Sequence, residues 1–253
     1  MEHHYGLPVF ISYEESVNFE AERLKAGQLE EQTSPAEAYS RQRKASAYPY
    51  AWLQTAQLGP DYLDRNDNGR CDPADYGSYI RFAYGNHTQD KPYPFRGPYT
   101  GYDFDPTLST KGATFGEKQL FYPNCIQTRT HTALFFQSER LDGRGASKDA
   151  LDVSLNANEY TFDQLKTDKI VLLRNEDVKA LLASGHLVDK GVDWNAATDG
   201  THLPYLAADY NSTIEQKALR IIEFNYDYTL CRGTDNSVAP GQGKLTLQSL
   251  RFF

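Results

Sequence analysis

The chain has little of what redox, soft-metal or nucleophilic chemistry needs. Its 253 residues include 3 Cys, 1 Met and 2 Trp. Cys71, Cys125 and Cys231 are far apart and form none of the close pairs that bind zinc. One disulfide with a free thiol and three buried thiols both fit that count. No HExxH occurs, and the adjacent histidines are the terminal His3-His4. No Gly-x-Ser-x-Gly elbow is present for a serine hydrolase. Gly241-Gln242-Gly243-Lys244 lacks the spacing of a phosphate loop and reads as a hairpin turn. With 26 Lys+Arg against 34 Asp+Glu, the formal charge of −8 argues against nucleic acid as a partner. No apolar run is long enough for a membrane span. Met1 to Gly6 has neither the basic nor the apolar region of a signal peptide. The chain stops at Leu250-Arg251-Phe252-Phe253, in mid-strand pattern, so the expectation is a piece of a longer protein whose export signal lies elsewhere.

What is present is an acidic loop. Asp64-Arg65-Asn66-Asp67-Asn68-Gly69-Arg70-Cys71-Asp72-Pro73-Ala74-Asp75 puts oxygen side chains at the first, third, fifth, ninth and twelfth places, with Gly at the sixth. That is the ligand order of an EF-hand-type calcium loop, in which a hard cation collects oxygens from one short segment and the Gly makes the turn. The expected ligands are Asp64, Asn66, Asn68, Asp72 and Asp75 through their side chains and Arg70 through its carbonyl. The twelfth residue is Asp rather than Glu, a shorter reach, and Arg65 and Arg70 offset part of the charge. Weak affinity is expected, roughly 10⁻⁴ to 10⁻³ M, the extracellular range. Asn, Asp and Gly also build plain solvated turns, which is the alternative.

Aromatic residues make up 13%, with 18 Tyr and 13 Phe. Large rings fit a pleated, half-buried sheet surface, and the preferred reading is β-sheet core. Exposed rings would instead stack on sugars, with Trp52, Trp194 and residues 93–104 as the platform. The predicted fold is mainly β with short helices (α+β), an antiparallel β-sandwich. Residues 1–47 are expected to be a helical N-terminal segment. Glu14 to Ala26 has weak helical periodicity, and Ser34-Pro35-Ala36-Glu37 is a capping box opening a helix to about Ala45. Leu7 to Tyr13 reads as a short strand. Residues 48–253 would form the β-rich domain. Residues 76–84 fit helix or strand equally, and 85–116 read as a long irregular surface segment. Lys118 to Tyr122, Ile126 to Ser138 and Lys169 to Leu173 read as strands, Leu141 to Gly145 as a turn. Asn175 should cap a helix ended by Gly185. Residues 186–213 are a polar connection. Ile222, Phe224, Tyr226, Tyr228 and Leu230 alternate in a closing strand whose partner is Lys244 to Leu250.

Several phrases together carry a resemblance. They are Pro60-Asp61-Tyr62-Leu63-Asp64, Gly116-Glu117-Lys118, Thr130-His131-Thr132-Ala133-Leu134-Phe135, Ser138-Glu139-Arg140-Leu141-Asp142-Gly143, Asp168-Lys169-Ile170-Val171-Leu172, Glu223-Phe224-Asn225-Tyr226-Asp227-Tyr228-Thr229-Leu230-Cys231 and Gly243-Lys244-Leu245-Thr246-Leu247. Over roughly residues 48–253 the chain resembles a segment of very large bacterial secreted or surface proteins of uncharacterised role, from which the insert at 186–213 departs. The closing strands are similar to units of the β-rich shells of Rhs and Tc-type toxins, and the acidic loop resembles one half of a dockerin repeat. A dockerin needs two such loops, and one is found here. The resemblance implies an extracellular or cell-surface, non-enzymatic module, whose partners are other domains of the same large protein and a glycan or protein surface ligand. The sequence-based expectation is therefore a structural or adhesive module stabilised by one calcium ion. The alternatives are a carbohydrate-binding module, a toxin-shell fragment, or a glycoside hydrolase, for which Asp103, Asp105 and Glu117 are the nearby carboxylates.

Overall fold

A computed structural model describes residues 1–20, 39–44, 46–69, 71–88, 92–99, 101–106, 110–146, 163–190, 192–193, 202–203, 206–232 and 243–253. Strands dominate. In chain order they are β1 (Glu2–Glu20), β2 (Tyr39–Lys44), β3 (Tyr48–Leu58), β4 (Tyr79–Asn86), β5 (Tyr93–Gly97), β6 (Asp103–Asp105), β7 (Thr110–Lys118), β8 (Phe121–Thr128), β9 (His131–Arg144) and β10 (Asp163–Arg174). Helix α1 (Asn175–Ala183) follows, then the short β11 (Val188–Asp189), β12 (Val192–Asp193), β13 (His202–Leu203) and β14 (Leu206–Ala207). Helix α2 (Ser212–Lys217), β15 (Arg220–Leu230) and β16 (Lys244–Phe252) complete the chain.

Twelve strands form one antiparallel sheet in the order β16-β15-β10-β9-β8-β4-β3-β1-β7-β5, with β2 on β1 and β6 on β7. The sheet curls over on itself. Tyr93 of β5 donates its hydroxyl proton to the Gly143 and Arg144 carbonyls at the end of β9. Ala146 N–H reaches the Pro94 carbonyl at 3.1 Å. The outer strands thus lie against the ends of β9 and β10, which gives the sandwich-like form.

One face of β4, β8, β9, β10 and β15 supplies Ala83, Cys125, Leu134, Val171, Leu173 and Ile221 to the main core. Val178 and Leu181 of α1, Ile214 of α2, Leu187 and Leu206 close over them. Burial of these apolar groups, not helix propensity, holds two short helices in place. A second cluster is Val17, Ala113 and Phe115, and a third is Ala56, Leu58 and Tyr79, flanked by Tyr62 and Cys71 at the root of the acidic loop.

Several sequence expectations are corrected. The N-terminal segment is not helical where it is described: residues 14–20 belong to β1 and 39–44 are β2, while Ser34 to Glu37 and Ala45 lie outside the described residues. The reason is tertiary. β1 is flanked by β2, β3 and β7, and its odd residues Leu7, Val9, Ile11, Glu15 and Val17 turn inward with the period of a strand. The segment 85–116 carries β5, β6 and the start of β7 rather than irregular chain. Residues 79–86 are strand. The helix after β10 forms as expected, with Val178 and Leu181 buried and Gly185 at φ +74, but Asn175 is its first residue rather than its cap. The Asn175 side chain accepts from the Thr132 hydroxyl and donates to the Thr128 carbonyl, tying α1 to the sheet. Phe224, Tyr226 and Tyr228 are half-buried along with their alternating neighbours, so β15 shows no clean wet face.

Leu141 to Gly143, expected as a turn, continue β9, and this places Asp142 in the interior. Its carboxylate accepts from Arg140 Nε at 3.2 Å and Nη2 at 3.0 Å and from Leu245 N–H of β16 at 3.1 Å. Burial alone would raise its pKa, but the Arg140 and Leu245 hydrogen bonds and the Arg140 charge outweigh it and hold the carboxyl below its ordinary value. A depressed folded pKa stabilises the fold above the unfolded value, about pH 3.9, and this contribution is lost as pH falls through the folded one. Asp142→Asn is expected to cost about 2–3 kcal/mol at neutral pH and to flatten the acid limb of the stability profile. Urea titrations from pH 7 down to pH 3 check this, and an unchanged acid limb would show that β16 is held by something else.

Candidate metal centre in the β3–β4 loop

The acidic loop is the tip of the hairpin between β3 and β4. Its base is closed by a two-bond bridge: Leu63 N–H to the Tyr76 carbonyl at 3.1 Å and Tyr76 N–H to the Leu63 carbonyl at 3.0 Å. Between them run the twelve loop positions, 64–75. Gly69, the sixth, sits at φ +70, as the turn requires. The first residue is already oriented by that turn. Asp64 accepts from Gly69 N–H at 2.7 Å and from Asn68 N–H at 3.3 Å, so its two oxygens face the loop interior.

The ninth residue collects the third and fifth. Asp72 Oδ2 accepts from the Asn66 amide at 3.0 Å and the Asn68 amide at 2.9 Å, and Oδ1 accepts from Ala74 N–H at 2.6 Å. These bonds, the Asn66 amide first, and the charge of Arg81 hold the Asp72 carboxyl below its ordinary pKa against a small opposing effect of burial. It is therefore an anion at neutral pH. A half-turn of either asparagine amide replaces its nitrogen with its oxygen at nearly the same place, so the same side chains can offer oxygens to a cation. Four of the expected ligands, Asp64, Asn66, Asn68 and Asp72, are thus brought together, with Asn68 bonded to both carboxylates. Asp67, at the fourth place, is exposed at φ +52.

Asp75, the twelfth, has a different setting. It is wholly buried, and its carboxylate accepts from the Tyr62 hydroxyl at 2.7 Å, Asp72 N–H at 2.8 Å and Arg65 N–H at 3.2 Å. It joins the two arms of the loop from beneath. Burial first, then Asp75, pushes the Tyr62 hydroxyl above its ordinary pKa, so Tyr62 stays a donor. Arg129, from the β8–β9 turn, adds a bond to the Asp75 carbonyl at 2.7 Å. The Arg65 guanidinium turns away from the loop over the Tyr76 ring at 5.3 Å. Arg70, the carbonyl ligand expected at the seventh place, lies outside the described residues.

The donor set suits a hard cation only when amide oxygens count. Among the described residues, no three His, Cys, Asp or Glu side chains gather closely enough to hold a metal. Two carboxylates and two amides with a backbone carbonyl would fit a weakly held calcium ion, which takes all-oxygen shells of flexible geometry. The same set lacks the nitrogen and sulfur that transition metals prefer.

Tyr62, Arg81 and Arg129 frame the loop, and no motif in the sequence announced them. Trp194 lies outside the described residues. Of residues 93–104, Tyr93 is buried and Phe104 exposed, so that stretch presents no run of open rings. Asp103, Asp105 and Glu117 are exposed on β6 and β7. None of the three cysteines is in a disulfide. Burial pushes Cys71 up to about 11 and Cys125 up to about 12, which keeps both protonated and unreactive at neutral pH. Comparison with protein-family models, with curated proteins and with solved structures finds no match to this chain.

Proposed function

We infer that the chain is a structural or adhesive module in which one calcium ion rigidifies the β3–β4 loop. The observation that carries this is the gathering of Asp64, Asn66, Asn68 and Asp72 at the hairpin tip, over a base locked by Asp75. When bound, calcium supplies charge neutralisation and cross-linking. The side chains do the holding: Asp64 is aimed by two backbone N–H groups, and Asp72 is kept ionised by its donors. A secreted or cell-surface setting, with millimolar calcium, matches the weak affinity expected of such a loop. Thermal melts in calcium, magnesium and chelator test the reading. Calcium at about 100 Kd should stabilise by about 2.7 kcal/mol, and magnesium by much less. Asp64→Ala should abolish the calcium shift, and Asp67→Ala should leave it intact. Superimposable melts in all three conditions would remove calcium from the account.

A second reading, a glycan-binding surface, has its own observation. Tyr5, Tyr50 and Trp52 on the paired β1 and β3 are 57%, 43% and 55% exposed, with Trp52 opposite Pro8. Flat rings on a sheet are suited to stacking on sugar rings. Trp52→Ala should then abolish retention on an insoluble polysaccharide without moving the melting temperature by more than about 2 °C. Equal retention of wild type and variant on every polysaccharide tried would dismiss it.

A further inference from the structure

A cavity of about 490 Å³ opens beside the acidic loop, between the sheet and α1. Asp72 and Pro73 of the loop form one side and β4, β8 and β9 the floor, while Val178, Lys179 and Leu182 of α1 form the opposite wall. It shares Asp72 with the gathered loop side chains, but Asp72 turns its oxygens toward Asn66, Asn68 and Ala74. Its size is that of a small-molecule site.

The charges around it are not balanced. Arg81, Arg129 and Lys179 line it against Asp72 and Asp189. Arg129 already bonds the Asp75 carbonyl. Arg81 is different. It stands on β4, two residues from the buried Tyr79 and two from the buried Ala83, opposite Ala56 and Gln127 in the sheet. It is half-buried and near enough for its charge to act on the Asp72 carboxylate, yet among the described residues no group accepts a hydrogen bond from its guanidinium. Lys179 is exposed on α1 and likewise has no ion-pair partner among the described residues. A half-buried guanidinium with five donors and no acceptor, in a cavity with apolar walls, is arranged for an incoming oxyanion. The larger cavity, about 600 Å³, on the other side of Leu206, lacks this imbalance. There Lys169 is paired with Glu223 at 2.9 Å, and Asp168 with Lys166.

We propose that the cavity between the β3–β4 loop and α1 binds a small organic carboxylate, its carboxylate held by Arg81 and Lys179 and its apolar body against Val178, Leu182 and Tyr79. Arg81 supplies a two-pronged contact and Lys179 a mobile charge at the mouth. Inorganic phosphate would meet the charges but leave the apolar wall uncovered.

The test uses the full chain in millimolar calcium, with phenylacetate as probe and phenylacetamide and inorganic phosphate as comparators, followed by calorimetry and by amide shifts in NMR. Phenylacetate should bind saturably, shifting Gln127, Thr132 and α1 amides. Phenylacetamide and phosphate should each bind at least about tenfold more weakly, as should phenylacetate to Arg81→Gln, since a charge-assisted bond is at stake. Lys179→Gln, an exposed change that leaves the core alone, should weaken phenylacetate by about threefold and decides the matter if Arg81→Gln does not fold. Three results would overturn the proposal. They are no saturable phenylacetate binding, equal affinity for the amide or for phosphate, and unchanged affinity in the variants.

Discussion

Asp75→Ala is expected to lower the melting temperature by roughly 10 °C or more, in calcium and in chelator alike. The carboxylate is wholly buried and receives three donors, two of them backbone N–H groups of the loop itself. An alanine removes, at a wholly buried position, the acceptor shared by the Tyr62 hydroxyl and the Arg65 and Asp72 N–H groups. Breaking a buried, fully bonded charge of this kind costs about 3–5 kcal/mol, most of it from the groups left behind. The loss should be shared by neighbours, since Tyr62 packs against the third core cluster of Ala56, Leu58 and Tyr79. The contrast with Asp64→Ala is what makes the result informative. Asp64 holds only local N–H groups on the exposed rim, so its removal should cost about 1 kcal/mol without calcium and the whole ion-dependent shift with it. Equal effects of the two variants in chelator would mean that Asp75 is not the lock described here.

The second large effect is expected at Gly77, just past the loop. Its φ is +81, and a Cβ there would press into the Asp61 carbonyl and lie 2.7 Å from Tyr62 N. Both neighbours are backbone, so neither can swing aside. Gly77→Ala therefore combines left-handed strain with a clash, and at least about 3 kcal/mol is expected. Gly69→Ala is the internal comparison: its φ is +70, but no atom lies within 4 Å of the added carbon. Only the conformational cost, about 1–2 kcal/mol, should remain there. Urea midpoints at unchanged slope measure both. Should the two variants be equally stable, the Asp61–Gly77 approach is not as close as described.

The acidic loop was legible because its chemistry is written in consecutive residues. The spacing of Asp64, Asn66, Asn68, Gly69 and Asp72 is local, and no distant part of the chain is needed to interpret it. Strands β10, β15 and β16 and helix α1 were legible for a related reason: β-branched and aromatic runs, or Val178 and Leu181 at helical spacing, advertise a buried face. The run read as one strand from Ile126 to Ser138 is instead broken at Arg129 and Thr130 into the end of β8 and the start of β9, and Lys118 to Tyr122 straddles the gap between β7 and β8. The N-terminal strand was not. Glu14, Glu15 and Glu20 look solvated, yet Glu15 is buried between β2 and β7 and accepts from the Tyr13 hydroxyl two residues before it, a setting that needs the strand pairing. Strands β5 to β7 were hidden by Pro94, Gly97 and Gly112. Such residues break a central strand, but Pro94 lies on β5, the last strand of the sheet order, where its missing N–H is tolerated. Asp75 was read as a ligand at the twelfth place, while its buried role depends on Tyr62 and on Arg129, which is far along the chain. The Arg81 cavity is spatial throughout, assembled from β4, β8, β9, α1 and the loop.

The central claim is that the β3–β4 loop holds one calcium ion on side chains that the hairpin has already gathered. A crystal structure determined in millimolar calcium tests it most directly. The account expects one ion at the loop, with oxygens of Asp64, Asn66, Asn68 and Asp72 at about 2.3–2.6 Å and both asparagine amides turned to present oxygen. An ordered loop without an ion, in which Asn66 and Asn68 still donate to Asp72, would contradict it.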